Sequence, residues 1–333
     1  MPTAVAIRRA LLNWYHQSKR DLPWRRTTDP YAIWISEAML QQTRVAAVLP
    51  YYEKFLKLFP SVHHLAQATE QQVLQAWSGL GYYTRARNIH KAAKLISAAS
   101  AFPNTHEAIR ALPGIGDYTA AAIASIAFGL PHAAIDGNAL RVLSRLTAEP
   151  ADISSPETRK RLKTIATQCL DRKRPGDFNQ AVMELGATIC LPRSPECKRC
   201  PLARHCAAYQ QDRPNEFPIK VRTVQRHHAA ESLFYIERRG KVLFWQRDST
   251  SKRLAGFWEL PGTAQLQNPA AITKAAEFRH TIVNTTFKFT VIRASVQTIP
   301  PGLVWLSKDS LHEVPLSTTA KKALRCLDIG EPK

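Results

Sequence analysis

Four cysteines stand at 190, 197, 200 and 206, in the spacing C-x6-C-x2-C-x5-C, and no other feature of the 333-residue chain restricts its folding as much. Four thiols packed this closely either converge on one centre or stand as an oxidation hazard, because exposed free cysteines react. Zinc sites favour two short pairs split by a longer loop. This unequal, nested run instead suits a cubane whose corners face different directions, so a [4Fe-4S] cluster is expected in preference to zinc. In a reducing compartment such crowding points to metal rather than disulfides. Cys169 and Cys326 stand alone and read as packing or helix-surface residues. Lys198, Arg199 and Arg204 are interleaved with the cluster loop and would rest on a polyanion.

The charge of the whole chain agrees. Lys and Arg number 46 against 26 Asp and Glu, a formal net charge of +20, and both halves share it: 27 basic against 15 acidic residues lie in 1–206, and 19 against 11 in 207–333. Basic side chains placed on phosphates release condensed counterions, so a nucleic acid is the natural partner. No run of about 18 apolar residues exists, which excludes a membrane-spanning helix. The first apolar stretch, in "MPTAVAIRRALLNWYHQ", is broken by Arg8 and Arg9 and is too polar for a signal peptide. A cytoplasmic, nucleoid-associated monomer of bacterial type is expected.

Hydrophobic periodicity divides the chain. Apolar residues recur at three and four spacing in "AVAIRRALLNWYHQ", "PYAIWISEAMLQQTRVAAVLPYYEKFLKLF", "EQQVLQAWSGL", "TRARNIHKAAKLISAAS" and "YTAAAIASIAFG", with Pro and Gly stops between them. Residues 1–206 therefore read as a helical domain ending in the 190–206 cysteine loop. Residues 207–228 lack a period and read as a linker. From 229 to 333 the runs "SLFYIE", "KVLFWQR", "FKFTVIRASV" and "LVWL" are β-rich, and a helix is expected near 316–327. The fold class is multidomain and mainly α, followed by an α+β domain.

"LPGIGDYTA", residues 112–120, places Gly114 and Gly116 in one turn between a helix ending near Arg110 and another starting near Tyr118. That is the pattern of a helix-hairpin-helix. Glycines let the chain turn sharply, and the exposed backbone N–H groups at the second helix's start can then approach a phosphate.

With these motifs, the chain resembles the endonuclease III superfamily of DNA glycosylases and, within it, the MutY family. The carrying segments are "LPWR" (22–25), "WISEAMLQQTRV" (34–45), "WSGLGYYTRARNIH" (77–90), "LPGIGDYTAAAIAS" (112–125), "IDGNALRVLSR" (135–145) and "FNQAVMELGATIC" leading into the cysteines. The resemblance implies a helix-hairpin-helix glycosylase core with an iron-sulfur loop and a Nudix-like C-terminal domain. The implied reaction is removal of adenine mispaired with 8-oxoguanine or guanine in double-stranded DNA.

Glu37 lies among Ile33, Trp34, Leu40 and Gln41, where an apolar setting raises a carboxyl pKa and holds a proton for delivery. The bland alternative is an exposed helical glutamate paired with Arg44. By resemblance Glu37 protonates the adenine ring. Asp136 reads as a helix N-cap, and the resemblance adds a carboxylate role beside the anomeric carbon, with Asn138 and Tyr118 supporting the developing charge. Two carboxyls with separate tasks are the general pattern of glycoside cleavage. In backbone-cutting relatives a lysine occupies the place of Tyr118; no amine is available here, which predicts a monofunctional enzyme. The resemblance further makes Gln42 and Tyr82 the intercalating residues that fill the gap left by an extruded base. It also makes Arg25, Leu40, Gly114, Gly116, Lys198 and Arg199 DNA contacts.

In the C-terminal domain, "LAGFWELPG" (254–262) is similar to the start of a Nudix region. The following "NPAAITKAAEF" holds a single glutamate, Glu277, too few carboxylates for a magnesium site. Where the family carries a Phe-Ser-His recognition loop, this chain has Ile282, Val283 and Asn284. Val283 lacks a hydroxyl, although Asn284 retains an amide donor. Two alternatives stay open on sequence: a bifunctional endonuclease III-like glycosylase/lyase acting on damaged pyrimidines, and a non-catalytic iron-sulfur DNA-binding protein.

Overall fold

The computed structural model describes residues 4–221, 227–248, 250–251, 254–266 and 269–329. Residues 222–226 of the expected linker lie outside the described residues, as do the last four residues of the C-terminal domain. Contacts group the chain into two units, one of residues 1–67 and 88–222, the other of 68–87 and 223–333. The second therefore takes in a helical segment from within the expected N-terminal domain.

The first unit is helical. Its elements are α1 (Ala4–Ser18), α2 (Pro30–Leu40), α3 (Val45–Leu58) and α4 (Val62–Gln67). After α5 (Glu70–Ala76), which groups with the second unit, follow α6 (Thr84–Ala98), whose residues up to Arg87 also group with the second unit, α7 (His106–Arg110), α8 (Asp117–Phe128), α9 (Gly137–Thr147), α10 (Pro156–Cys169), α11 (Pro175–Thr188) and α12 (Ala207–Gln210). One core joins α1, α9, α10 and α11 through Leu11, Leu12, Tyr15, Leu143, Leu162, Phe178 and Leu185. Fully burying each such side chain contributes roughly 1.5–3 kcal/mol.

α2 starts on an N-cap, Asp29, whose carboxylate accepts from Tyr31 N and Ala32 N, with Pro30 at the first helical position. Every residue from Tyr31 to Met39 is buried, so α2 is a central helix without a wet face. The sequence pattern runs on past it as one piece. The structure ends α2 at Leu40 and restarts at Val45, because Gln42 takes φ +59°, a left-handed conformation that no helix continues through.

The expected linker is partly ordered against the first unit. Phe217 is buried, its carbonyl accepts from Arg145 Nε at 3.0 Å, and Ile153 N donates to Ile219 O at 3.0 Å.

The second unit is α+β. Strands β1 (His227–Tyr235), β5 (Ala270–Ile282) and β6 (Thr285–Ser295) form one sheet in the order β1-β6-β5, with β1 parallel and β5 antiparallel to β6. β2 (Glu237–Arg238), β3 (Lys241–Gln246) and β4 (Trp258–Glu259) form another, and β7 (Leu303–Ser307) pairs with β3. Leu233, Tyr235, Phe244, Phe289 and Val291 pack with Ala320 and Leu324 of α13 (Thr318–Cys326). β5 occupies the stretch where a Nudix metal-binding helix is absent from the sequence, and its Glu277 pairs with Lys274 and Lys288, leaving no acidic cluster there.

Candidate active site

A cleft of about 1020 Å³ opens in the first unit, at the upper end of the range for small-molecule pockets and roomy enough for a nucleotide. Glu37 and Asp136 both line it, with Tyr118, Asn138, Arg25, Leu40 and Gln42. Seven residues singled out from sequence thus share one wall-to-wall space. The hairpin glycines and Lys198 and Arg199 do not line it.

Glu37 is 5 % exposed, on the last turn of the buried helix α2. Burial pushes its carboxyl up to about 7; a hydrogen bond from Tyr118 opposes this, Asp136 adds to it, and the Arg25 charge opposes it. The partner is Tyr118 rather than Arg44: the phenol donates to Glu37 Oε2 at 2.6 Å. Tyr118 is itself raised well above its ordinary value, first by burial and then by the two carboxyls, so it stays a donor. It reaches Glu37 because the second helix of the hairpin, α8, begins at Asp117 and carries it on its first turn.

The hairpin has the expected form, α7 to α8. Gly114 takes φ +77°, and a Cβ there would meet Asn88 Cβ at 2.6 Å, so both conformation and space require glycine. Gly116, the N-cap of α8, has φ −91° and open space where a Cβ would stand, leaving the helix N-terminus accessible. Both glycines are exposed.

Asp136 is the N-cap of α9, accepting from Ala139 N at 2.6 Å and from Asn138 Nδ2 at 3.1 Å. Burial raises its carboxyl, against these hydrogen bonds and the Arg141 charge. Arg141 continues the chain of contacts: it donates to Asn138 Oδ1 at 2.8 Å, Gly186 O at 2.7 Å and Cys190 O at 2.8 Å. Gly186 permits this close packing of α11 on α9, since a Cβ there would lie 2.6 Å from Asn138 Cβ.

Cys190, Cys197, Cys200 and Cys206 line one small cavity with Arg145, Pro195 and Tyr209. Two 3-10 turns, Cys197–Arg199 and Ala203–His205, bend the loop around it. Among the described residues no three His, Cys, Asp or Glu side chains close around a single ion. Burial pushes the Cys200 thiol up to about 12, with the neighbouring cysteines adding to the rise. Buried Arg145 donates to Cys190 Sγ at 3.2 Å, a contact suited to a thiolate acceptor.

Gln42 and Tyr82, expected at the DNA gap, are both exposed and both at positive φ, +59° and +50°. Such strain costs about 1–3 kcal/mol per residue and collects where ligands are gripped. In the second unit, Ile282 ends β5, and Val283 and Asn284 form the two-residue turn into β6. Val283 is 67 % exposed at φ +56°, unusual for a β-branched residue.

Sequence reasoning missed Arg20, Arg141, Arg145 and Glu184. Arg141 and Arg145 lie four apart on α9, a spacing that places both on one helix face, and that signal was legible. Glu184 sits inside an otherwise apolar stretch, "AVMELGA", where a charge is unusual unless paired.

A helix-hairpin-helix beside a cleft with two carboxyls defines a base-excision glycosylase core, and residues 35–168 match the HhH-GPD superfamily of base excision DNA repair proteins. The human adenine DNA glycosylase is 34% identical over 98% of this chain and 75% of its own length. That from Buchnera aphidicola (strain Bp) is 37% identical over 74% of this chain and 73% of its own. A thermostable thymine-DNA glycosylase structure aligns with TM-score 0.57 at 28% identity, covering 62% of this chain and 97% of its own. The chain belongs to the adenine DNA glycosylase family, and with it to the DNA glycosylases of base excision repair. No helix among the described residues is long and apolar enough to cross a membrane.

Proposed function

We propose that the protein removes adenine mispaired with 8-oxoguanine or guanine, hydrolysing the N-glycosidic bond without cutting the backbone. The observation that carries this reading is the pairing of Glu37 and Asp136 in one cleft, the former buried and still protonated up to a pH of about 7. The extruded adenine enters between them. Glu37 gives its proton to a ring nitrogen, so the base leaves neutral, and Tyr118 holds the carboxyl through its hydrogen bond. Asp136, oriented by Asn138, faces the positive charge that develops on the sugar. Water completes the hydrolysis. With a phenol in place of an amine at position 118, no Schiff base forms and an abasic site is the product.

Exposed Gln42 and Tyr82 suit filling the gap in the duplex, and the accessible N-terminus of α8 suits a phosphate. The division of labour follows the chain: residues 1–206 cleave, 229–333 form a Nudix-like unit that reads the opposite base, and 207–228 join them. The hairpin tip at Ile282, Val283 and Asn284 is the reading element. The four cysteines fit a [4Fe-4S] cluster, being all-thiolate donors around one cavity with a guanidinium on one sulfur. Cys190, Cys197, Cys200 and Cys206 would hold the group, which when bound would tie the 190–206 loop together through their four sulfurs.

The test is a duplex with adenine opposite 8-oxoguanine. Free adenine followed by strand scission only after alkali is expected; scission without alkali, or binding with no release, contradicts the proposal. Comparing guanine and 8-oxoguanine partners before and after Asn284→His reads the contribution of the hairpin tip.

A further inference from the structure

Glu184 is an anion that the cleavage steps above do not use. It projects from α11 with its side chain wholly buried and lines the same cleft as Glu37. Both of its oxygens are taken. Arg20 donates from Nε to Oε1 at 2.8 Å and from Nη2 to Oε2 at 2.7 Å, its backbone N–H adds a 3.0 Å contact to Oε1, and Arg25 Nη2 reaches Oε2 at 2.8 Å. Burial alone would raise this carboxyl; the two guanidiniums overcome it and bring it down to about 2. Arg25 is fixed on its other sides by the Arg20 carbonyl, at 3.1 Å from Nη1, and by the Tyr15 ring, whose centroid lies 5.5 Å from the guanidinium carbon.

We infer that Glu184 is a positioning residue, which draws the Arg25 guanidinium onto α11 and away from Glu37 so that the acid keeps its proton. The inference rests on the assignment of Glu37 as the proton donor. Around Glu37 stand Tyr118 from α8, Asp136 from the N-cap of α9, and Arg25 with Arg20 from the segment ahead of α2. Arg44 at the N-cap of α3 lines the same cleft, and Arg141 is engaged with Asn138, Gly186 and Cys190. Arg25 is the cation whose field already pulls on Glu37. Without Glu184, the anions left to it in the cleft are Glu37 and Asp136. A guanidinium paired with Glu37 favours the carboxylate, the form that cannot deliver a proton. The active form then disappears at a lower pH.

The measurement is single-turnover adenine release across pH 5 to 9 by the cluster-containing enzyme, wild type, Glu184→Gln and Glu184→Asp. Glu184→Gln should move the alkaline fall in rate to lower pH by about one unit, an additional loss of about tenfold at pH 8. Glu184→Asp, which keeps the charge, should restore the profile toward wild type. A Glu184→Gln profile that superimposes on wild type, or one lowered equally at every pH, overturns the inference. Should Glu184→Gln fail to fold, Arg25→Gln and the double variant Arg25→Gln/Glu184→Gln replace it: with no Arg25 guanidinium left to release, adding Glu184→Gln should leave the alkaline fall where Arg25→Gln puts it, and a fall lowered by about one unit all the same overturns the inference. A wild-type enzyme that releases no adenine overturns the reading of the reaction instead, so the two failures are distinguishable.

Discussion

Glu37 owes its chemistry to where α2 places it. Removal from water favours the neutral acid, and the Tyr118 hydrogen bond, which favours the anion, reduces the effect without cancelling it. The sign for stability follows. A carboxyl raised in the folded state binds a proton more tightly than in the unfolded chain, so stability is lost as pH rises from about 4.3 toward 7, and the penalty is full above that. Glu37→Gln, which removes the ionisation and keeps an acceptor for Tyr118, should therefore be more stable than wild type at pH 8, by up to about 4 kcal/mol, and nearly equal to it at pH 4. Denaturant unfolding at the two pH values measures the difference; equal stabilities at pH 8 contradict it. The burial of Glu37 was legible in sequence because its apolar neighbours sit at helical spacing. Its partner was not: Tyr118 lies 81 residues away, and only the packing of α8 on α2 brings them together. The partners of Glu184 were hidden for the same reason, the two arginines lying about 160 residues upstream.

The hairpin shows what short-range sequence can specify at the level of an element. Two glycines in one turn announced α7, the turn and α8, but their separate duties emerge only in three dimensions. Gly114→Ala forces a side chain into Asn88 at a left-handed φ and should destabilise the fold by about 1–3 kcal/mol. Gly116→Ala meets no neighbour and should leave the melting temperature nearly unchanged; if the N-terminus of α8 takes a phosphate as proposed, the added methyl group should weaken DNA binding. Thermal unfolding and titration with duplex DNA separate the two; a Gly116→Ala protein that binds as well as wild type removes the phosphate role. β5 is the contrasting case. "AAITKAAEFRHTI" holds four alanines and two basic residues, poor strand formers on the whole, and no period-two pattern marks it. Continuous pairing with β6, from Ala276 opposite Val291 to Ile282 opposite Thr285, overrides that local preference. The break between α2 and α3 was equally illegible, since nothing in "LQQTR" signals a left-handed Gln42.

Across the whole molecule, charge supplies what no single contact does. A surplus of +20, present in both halves, favours salt-dependent affinity for a duplex, and selection is the part proposed above for the cleft and the hairpin tip. Binding to undamaged duplex should weaken by about 10³-fold or more between 50 and 200 mM salt if six or more phosphates are engaged, and fluorescence anisotropy across that range measures the slope. A flat response contradicts a phosphate-borne interface. The helical and α+β units were legible from the change of period near residue 229. The grouping of 68–87 with the second unit was not, because its contacts, such as Arg87 with the Ala255 carbonyl and Tyr83 with Phe257, span more than 160 residues.

The central claim is geometric: an acid and a carboxylate hold one extruded nucleotide between them. A crystal structure with a duplex carrying an uncleavable deoxyadenosine analogue opposite 8-oxoguanine tests it directly. The predicted result puts an adenine ring nitrogen within about 3 Å of the Glu37 carboxyl and the anomeric carbon beside Asp136. A nucleotide bound outside this cleft, or one touching neither carboxyl, contradicts the account.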